Sequence, residues 1–226
     1  MDKAEDYSFL KNFTLFSMMG EKNMSEVIKL LGKNKYPAGS TLFFQGDTGE
    51  NVYFLRTGKI KALKSNPSGE EQILEILQPG DVFGEVVLFG IDEYPATAVA
   101  MEDAEVVFLS RSKFKDYFYK NPALGWGMLQ EMALKLHRAQ KKIEDLGLRD
   151  TKGRVAILLI DLLYKFGDKK NKLSLELNRQ EMASFIGTTR ETVSRTLSEF
   201  KNEELIEIKG NRILIKDMEG LKEWTY

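Results

Sequence analysis

The sequence predicts an α+β chain in three parts. An antiparallel β-roll of jelly-roll type follows N-terminal helices (residues 1–120), a long helix comes next (121–148), and a winged helix-turn-helix ends the chain (149–226). Three observations predict it. Gly39, Gly49, Gly58, Gly69, Gly80 and Gly90 recur every nine to eleven residues between short apolar runs, the punctuation of a small antiparallel roll or sandwich. Leu129, Met132, Leu136, Ala139, Ile143 and Leu146 step by 3, 4, 3, 4, 3, the a/d pattern of a two-stranded helical seam. Two short amphipathic segments flank Gly187, and two apolar strands around a basic tip follow them.

Composition bounds the function. Of 226 residues, 42% are hydrophobic and 30% charged, and the formal net charge is −1. That is ordinary globular composition, so binding to nucleic acid requires a local basic face and not a polybasic chain. The absence of cysteine excludes disulfides, thiolate zinc sites, cysteine-ligated iron–sulfur clusters and thiol redox switching. There is no charged-then-apolar leader and no apolar run near 18 residues, so a cytoplasmic protein without membrane contact is expected. No nucleophile–base set, metal cluster or phosphate loop is visible, and the single histidine, His137, has no partner in sequence, which argues against an enzyme.

Taken in order, residues 1–34 read as amphipathic helix, with Phe9, Leu10, Phe13 and Phe16 and then Met24, Val27, Ile28 and Leu31 at helical spacing. The polar face mixes both charge signs, which argues against a membrane-surface helix. Strands are expected at Thr41–Gln45, Asn51–Arg56, Ile60–Ser65, Gln72–Leu77, Val82–Phe83, Ala96–Met101 and Glu105–Ser110. A short helix follows at Arg111–Asn121. The long helix starts near Pro122, where proline suits a first turn, and runs to Leu148. Its apolar stripe is only two positions wide, with charges around the rest, which favours a parallel seam with a second copy over packing on its own domain. His137 lies beside that seam as a flank residue. A helix at Val155–Phe166, a charged loop at 167–172 and a strand at Leu173–Leu177 lead into the helix-turn-helix.

Asn178 with Glu181, and Thr188 with Glu191, each form a helix start signal, a side-chain acceptor followed three residues later by a carboxylate. Gly187 lies between the two helices, where the chain must turn sharply. Met182, Ala183 and Ile186 give the first helix an apolar face, and Val193, Leu197 and Phe200 give the second its own. Arg190, Glu191, Ser194, Arg195 and Ser198 are left on the outward face. Those types suit base-pair edges: arginine donates two parallel hydrogen bonds to guanine, and a carboxylate accepts from the cytosine amine. Thr188, Thr189 and Ser198, with Lys209 and Arg212 of the basic tip between Ile206–Ile208 and Ile213–Ile215, suit phosphate. Double-stranded DNA is therefore the expected partner.

The segment Arg179–Ile206, with RETVSR at its centre, resembles the DNA-binding domain of the CRP/FNR family of bacterial transcription regulators. Arg190, Glu191 and Arg195 match the reading residues of the cAMP receptor protein type. Glu191, Ser194 and Arg195 match the E-x-x-S-R of the FNR type. The phrases YPAGSTLFFQGD, VYFLRTGKIKAL, ILQPGDVFGEVVLF and YPATAVAMEDAEVVFLSRSKF resemble the cyclic-nucleotide-binding β-roll, and RDTKGR resembles the family hinge D-x-x-G-R. The resemblance implies a homodimer that regulates transcription from an inverted-repeat site with TGA-core half-sites. It also implies a touch on RNA polymerase by the loop 167–172, for which a solvated turn is the equal alternative.

The family's effector cassette is matched only in part. The resemblance places an effector pocket at Gly84, Glu85, Leu88, Tyr94, Ala96 and Thr97, but Val87 stands in place of a small residue, and Pro95 and Ala96 stand where nucleotide binders carry arginine and a hydroxyl. No lysine or arginine lies between Gly84 and Glu105. A buried cyclic phosphate without a cation is not compensated for its lost hydration. Gly84 and Glu85 therefore read as a bend of the roll with the carboxylate bonded to backbone, and cAMP is disfavoured as effector. The strand-region histidine of the family's haem-binding CO sensor is also missing. A haem-based gas sensor and a cyclic-nucleotide-binding regulatory protein remain as alternatives, the second opposed by the helix-turn-helix.

Overall fold

The computed structural model describes residues 3–17, 19–121, 123–167, 172–173, 177–209 and 212–225. The chain divides into two compact units: Met1–Asn66 with Leu74–His137, and Pro67–Ile73 with Arg138–Tyr226.

The first unit opens with α1 (Lys3–Lys11), α2 (Thr14–Ser17) and α3 (Glu21–Ile28). The helix expected to last to residue 34 gives way at Gly32 to β1 (Gly32–Tyr36). Pairing decides this: all five residues of β1 find antiparallel partners from Phe108 back to Ala104, and Gly32 lies so close over the Phe108 ring that a Cβ would collide with it. There follow β2 (Thr41–Phe43), β3 (Asn51–Thr57), β4 (Ile60–Ser65), β5 (Glu71–Leu77), whose first three residues belong to the second unit, and β6 (Val82–Phe83), a 3-10 turn at Glu85–Phe89, β7 (Thr97–Ala100), β8 (Ala104–Ser110), α4 (Arg111–Lys120) and the long α5 (Ala123–Leu148), which passes into the second unit at Arg138. The strands make two antiparallel four-stranded sheets, ordered β1-β8-β3-β6 and β2-β7-β4-β5.

The strand period of two explains how one sheet serves two cores. On β3, Val52 and Phe54 point towards the helical layer of Leu10, Phe13, Phe16, Met24 and Val27, and on β8 so do Val107 and Leu109. The alternate residues Tyr53, Leu55 and Val106 point into the roll, against Ile60, Leu77, Phe83, Tyr94 and Ala98. The N-terminal helices are thus part of the roll's core. Phe13 and Phe16 meet Phe54 with ring centroids 5.2 Å apart in each case.

One buried charge pins α1 to the roll. Asp6 is 2% exposed and accepts from Lys33 Nζ at 2.5 Å and Arg56 Nη1 at 2.8 Å. Burial pushes its carboxyl up, but the two cations outweigh that and hold it below the ordinary aspartate value. A lowered folded-state pKa contributes stability above the unfolded pKa and loses it as pH falls through the folded one. Asp6→Asn should therefore cost about 1.5–3 kcal/mol at pH 7, the worth of hydrogen bonds to a charged group. The difference between the two proteins in urea unfolding should shrink towards acid, below the ordinary aspartate range. A gap that stays constant would assign the cost to packing alone.

The second unit contains α6 (Thr151–Phe166), β9 (Lys172–Leu173), α7 (Arg179–Ile186), α8 (Arg190–Asn202), β10 (Ile206–Lys209), β11 (Arg212–Ile215) and α9 (Met218–Glu223), with a three-stranded sheet ordered β10-β11-β9. The helix expected from Val155 begins a turn earlier, because Asp150 caps it by accepting from Gly153 N at 2.7 Å. The strand expected at Leu173–Leu177 is Lys172–Leu173, and residues 174–176 lie outside the described residues. So does most of the 167–172 loop.

Along α5 the predicted stripe is open to solvent in the single chain: Leu129 is 64%, Leu136 61% and Ile143 70% exposed. Met132 is half-buried, Ala139 and His137 are exposed, and the side chain of Leu146 lies outside the described residues.

Candidate nucleic-acid interface

The helix-turn-helix is positioned by its caps and its buried face. Asn178 Oδ1 accepts from Glu181 N at 2.9 Å while Glu181 Oε2 accepts from Asn178 N at 3.1 Å, a complete capping box at the start of α7. The second start signal forms differently from the expected one. Thr189, not Thr188, caps α8, accepting from Thr192 N at 3.2 Å. Thr188 N is spent on Ala183 O, closing the end of α7, so its residue belongs to the turn. Gly187 makes that turn at φ 67°, the left-handed region where a side chain is strained.

Met182, Ala183 and Ile186 are buried on α7, and Val193, Thr196, Leu197 and Phe200 on α8. The carbonyl of Ile186 accepts from Arg154 Nη1 at 3.0 Å, which ties the end of α7 to α6. The Lys142 ammonium of α5 stands 3.9 Å over the Phe185 ring. Arg154 and Lys142 are thus supports for the helix pair. These two interactions span 32 and 43 residues of sequence, and no local pattern announces them.

With one face of α8 fixed inward, the opposite face is free. Arg190, Glu191, Arg195 and Ser198 are exposed and Ser194 is half-buried, on adjacent turns of one helix face. Ser198 Oγ donates to Ser194 O at 2.9 Å, so its hydrogen is already committed while its oxygen can still accept. Thr189 is exposed and Thr188 half-buried at the N-terminal end of α8. The wing pairs Ile206 with Ile215 through Lys209 with Arg212, so the two cations stand opposite each other at its end, and residues 210 and 211 lie outside the described residues. Lys209 Nζ meets Glu207 at 2.8 Å. The sequence-predicted readers and phosphate candidates are therefore gathered on α8, its N-terminal turn and the adjacent wing.

The effector residues are less open. Gly84 takes φ 69° directly before the 3-10 turn, and a Cβ there would crowd Tyr94, Tyr53 and the Asn51 carbonyl at 3.1–3.3 Å. The Tyr94 hydroxyl donates to Asn51 O at 2.8 Å, and Asn51 N donates to it in turn. Phe43 stacks on Tyr94 with centroids 3.8 Å apart, and Tyr53 stacks on Phe83. Burial pushes the Tyr53 phenol far up, so it stays neutral. Thr97 Oγ1 accepts from Gln45 N at 3.0 Å. Leu88 packs on the helical core, and Ala96 is half-buried.

Glu85 corrects the sequence reading. Its buried carboxylate, expected to bond backbone, meets Lys135 Nζ of α5 at 2.9 Å, and the same ammonium donates to Val82 O at 2.8 Å. Sequence reasoning misses Lys135 because fifty residues separate it from Glu85 and it looks like any seam-flanking lysine.

Comparison with known proteins agrees with this architecture. The family model of the cyclic nucleotide-binding domain matches residues 33–121, and that of the Crp-like helix-turn-helix domain matches 153–224. The cAMP-activated global transcriptional regulator CRP of Salmonella typhimurium is 31% identical over 185 residues, covering 80% of this chain and 88% of that protein. The CRP-like cAMP-activated global transcriptional regulator of Mycobacterium tuberculosis is 29% identical over 210 residues, covering 92% and 94%. The solved structure of FixK2 from Bradyrhizobium japonicum superposes with a TM-score of 0.79 at 23% identity, over 87% of this chain and 98% of that one, and so supports the fold. With both of its domains matched and its helix-turn-helix presenting a free basic face, the chain is a DNA-binding transcription regulator of the CRP/FNR family.

Proposed function

We propose that the protein is a homodimer that reads an inverted-repeat promoter site with TGA-core half-sites. The observation that carries this is the free face of α8, where Arg190, Glu191, Ser194 and Arg195 stand opposite the buried Val193, Leu197 and Phe200. Arg195 donates to guanine and Glu191 accepts from the cytosine amine of the same pair, so that together they read one G·C. Arg190 adds a second guanine in a TGTGA-like half-site, whereas Ser194 favours a TTGAT-like one. Both sets are present, and the shared core is TGA. Thr188, Thr189, Ser198, Lys209 and Arg212 hold phosphates. Two-fold symmetry sets the half-sites about 34 Å apart. Selection from a random duplex library should return such inverted repeats. Recovery of sites without two-fold symmetry would overturn the reading.

The protein acts in the cytoplasm, and among the described residues no helix is long and apolar enough to cross a membrane. The loop 167–172 is the candidate contact with RNA polymerase.

The effector is not cAMP, although both relatives above are described as cAMP-activated. Pro95 and Ala96 offer neither cation nor hydroxyl, Glu85 is already paired with Lys135, and Phe43 packs against Tyr94. Calorimetry should show no binding of cAMP or cGMP at physiological concentration, and micromolar affinity for either would overturn this. With no cysteine, thiol oxidants should leave DNA binding unchanged. An organic molecule beside α5, haem without a cysteine ligand, or no effector are the readings left.

A further inference from the structure

An apolar groove of about 550 Å³ lies in the first unit between the 85–91 turn and the first turns of α5. Phe89, Ile91, Phe118, Gly125, Met128 and Leu129 are among the residues that line it. Phe89 is 52%, Ile91 50% and the adjacent Trp126 59% exposed. Exposed Phe89 and Ile91 in one apolar groove mark an interaction surface, and Trp126 follows the groove residue Gly125 in sequence.

We infer that this groove is the seat of Trp126 from a second copy of the chain. The inference rests on the proposed parallel seam and extends it. Leu129, which lines the groove, is the first a position of that seam, so groove and seam are continuous. Counting back from Leu129 places Gly125 at a d position and Trp126 at the following e position. In a parallel pair, a d position packs beside the d and e positions of the facing helix, because each knob enters a hole made by four facing residues. At Gly125 that hole has no side chain of its own. A Cβ built there would rest on the Phe118 ring in ordinary contact, at 3.6 Å, so the glycine leaves that ring uncovered by any side chain of position 125. The residue that arrives over it by symmetry is the partner's tryptophan.

The complementarity is of size as well as position. An indole is the largest side chain, buries 150–250 Å² on docking and keeps one N–H for the wet rim. Trp126 does not fill the groove of its own chain, since it stays 59% exposed there. Exchange between two copies buries both indoles and covers both grooves. It also makes the loop carrying Phe89 and Ile91 part of the dimer interface, although that loop lies well before α5 in the sequence.

The chain has two tryptophans, so a Trp224→Phe variant reports Trp126 alone. Its emission should be that of a buried indole in the dimer and shift to the water-exposed wavelength on dilution to monomers. Should Trp224→Phe fail to fold, the fluorine spectrum of the wild-type chain labelled with 5-fluorotryptophan reads the same change. Trp126→Ala should weaken dimerisation by about ten- to thirty-fold for each indole removed, two per dimer, with the monomer's circular dichroism unchanged. A water-exposed Trp126 in an intact dimer overturns the inference and leaves the seam standing. A wild-type chain that sediments as a monomer overturns both. Native mass spectrometry that finds an apolar small molecule in each groove of a dimer with exposed Trp126 assigns the groove to a ligand and overturns the exchange.

Discussion

Ile143→Asp should turn the protein into a monomer that binds no duplex specifically. Ile143 is the last a position of the α5 stripe and is 70% exposed in the single chain, so its own fold does not depend on burying it. Removing a buried seam isoleucine costs roughly 2–3 kcal/mol, and symmetry counts it twice. The substitution also sets two carboxylates against each other in an apolar seam, which adds desolvation and like-charge repulsion. A micromolar dimer is held by only about 8 kcal/mol, so a change of this size moves dissociation beyond working concentrations. Each separated head keeps α8 and its wing but reads half a site, and the gain from engaging two half-sites on one duplex disappears. Sedimentation measures the first effect and a gel shift the second, with circular dichroism checking that the monomer stays folded. A variant that still sediments as a dimer removes the seam from the account.

What the sequence makes legible follows from the range of the interactions involved. Strands with glycine at both ends and alternating side chains can be placed to within a residue or two, because turn chemistry and period are local. Ile60–Ser65 and Val82–Phe83 fall where expected. The apolar faces of α7 and α8 are equally plain, since Val193, Leu197 and Phe200 announce a buried side by spacing alone. Differences arise where two local answers compete or where the partner is distant. Thr188 and Thr189 are both capping residues, and the tight turn at Gly187 takes the first, leaving the second to cap. Lys33 and Asn34 read as the end of a helix until β8, seventy residues on, supplies a pairing edge. Glu85 reads as a backbone-bonded carboxylate because its partner Lys135 lies on another element. The pocket residues are legible as a departure from a pattern, Pro95 and Ala96 for arginine and hydroxyl, but the aromatic packing of Phe43 on Tyr94 is not.

Arg195→Ala should separate reading from holding. Arg195 is exposed on α8 beside the buried Val193, Thr196 and Leu197, so truncating it leaves the helix in place and changes stability little. On the cognate duplex the cost should be about 1–3 kcal/mol for each bidentate guanine pairing, repeated in both half-sites. Discrimination should relax at one base pair per half-site and persist elsewhere, because Arg190, Glu191 and Ser194 remain. Lys209→Ala should behave otherwise. Lys209 stands at the end of the wing opposite Arg212, exposed and paired with Glu207 in the absence of DNA. A cation that meets only phosphate carries no sequence information, so removing it should weaken all duplexes alike. The dependence of log K on log salt should flatten by about one unit for each phosphate no longer neutralised, or about two per dimer. Part of the gain from Lys209 is offset by breaking its pair with Glu207. Glu207→Gln should therefore tighten binding to every duplex slightly, without changing the preferred sequence. Selection with the three variants decides between the roles. An Arg195→Ala protein with the wild-type preference, or a Lys209→Ala protein with an altered one, would show that the reader is not this helix face.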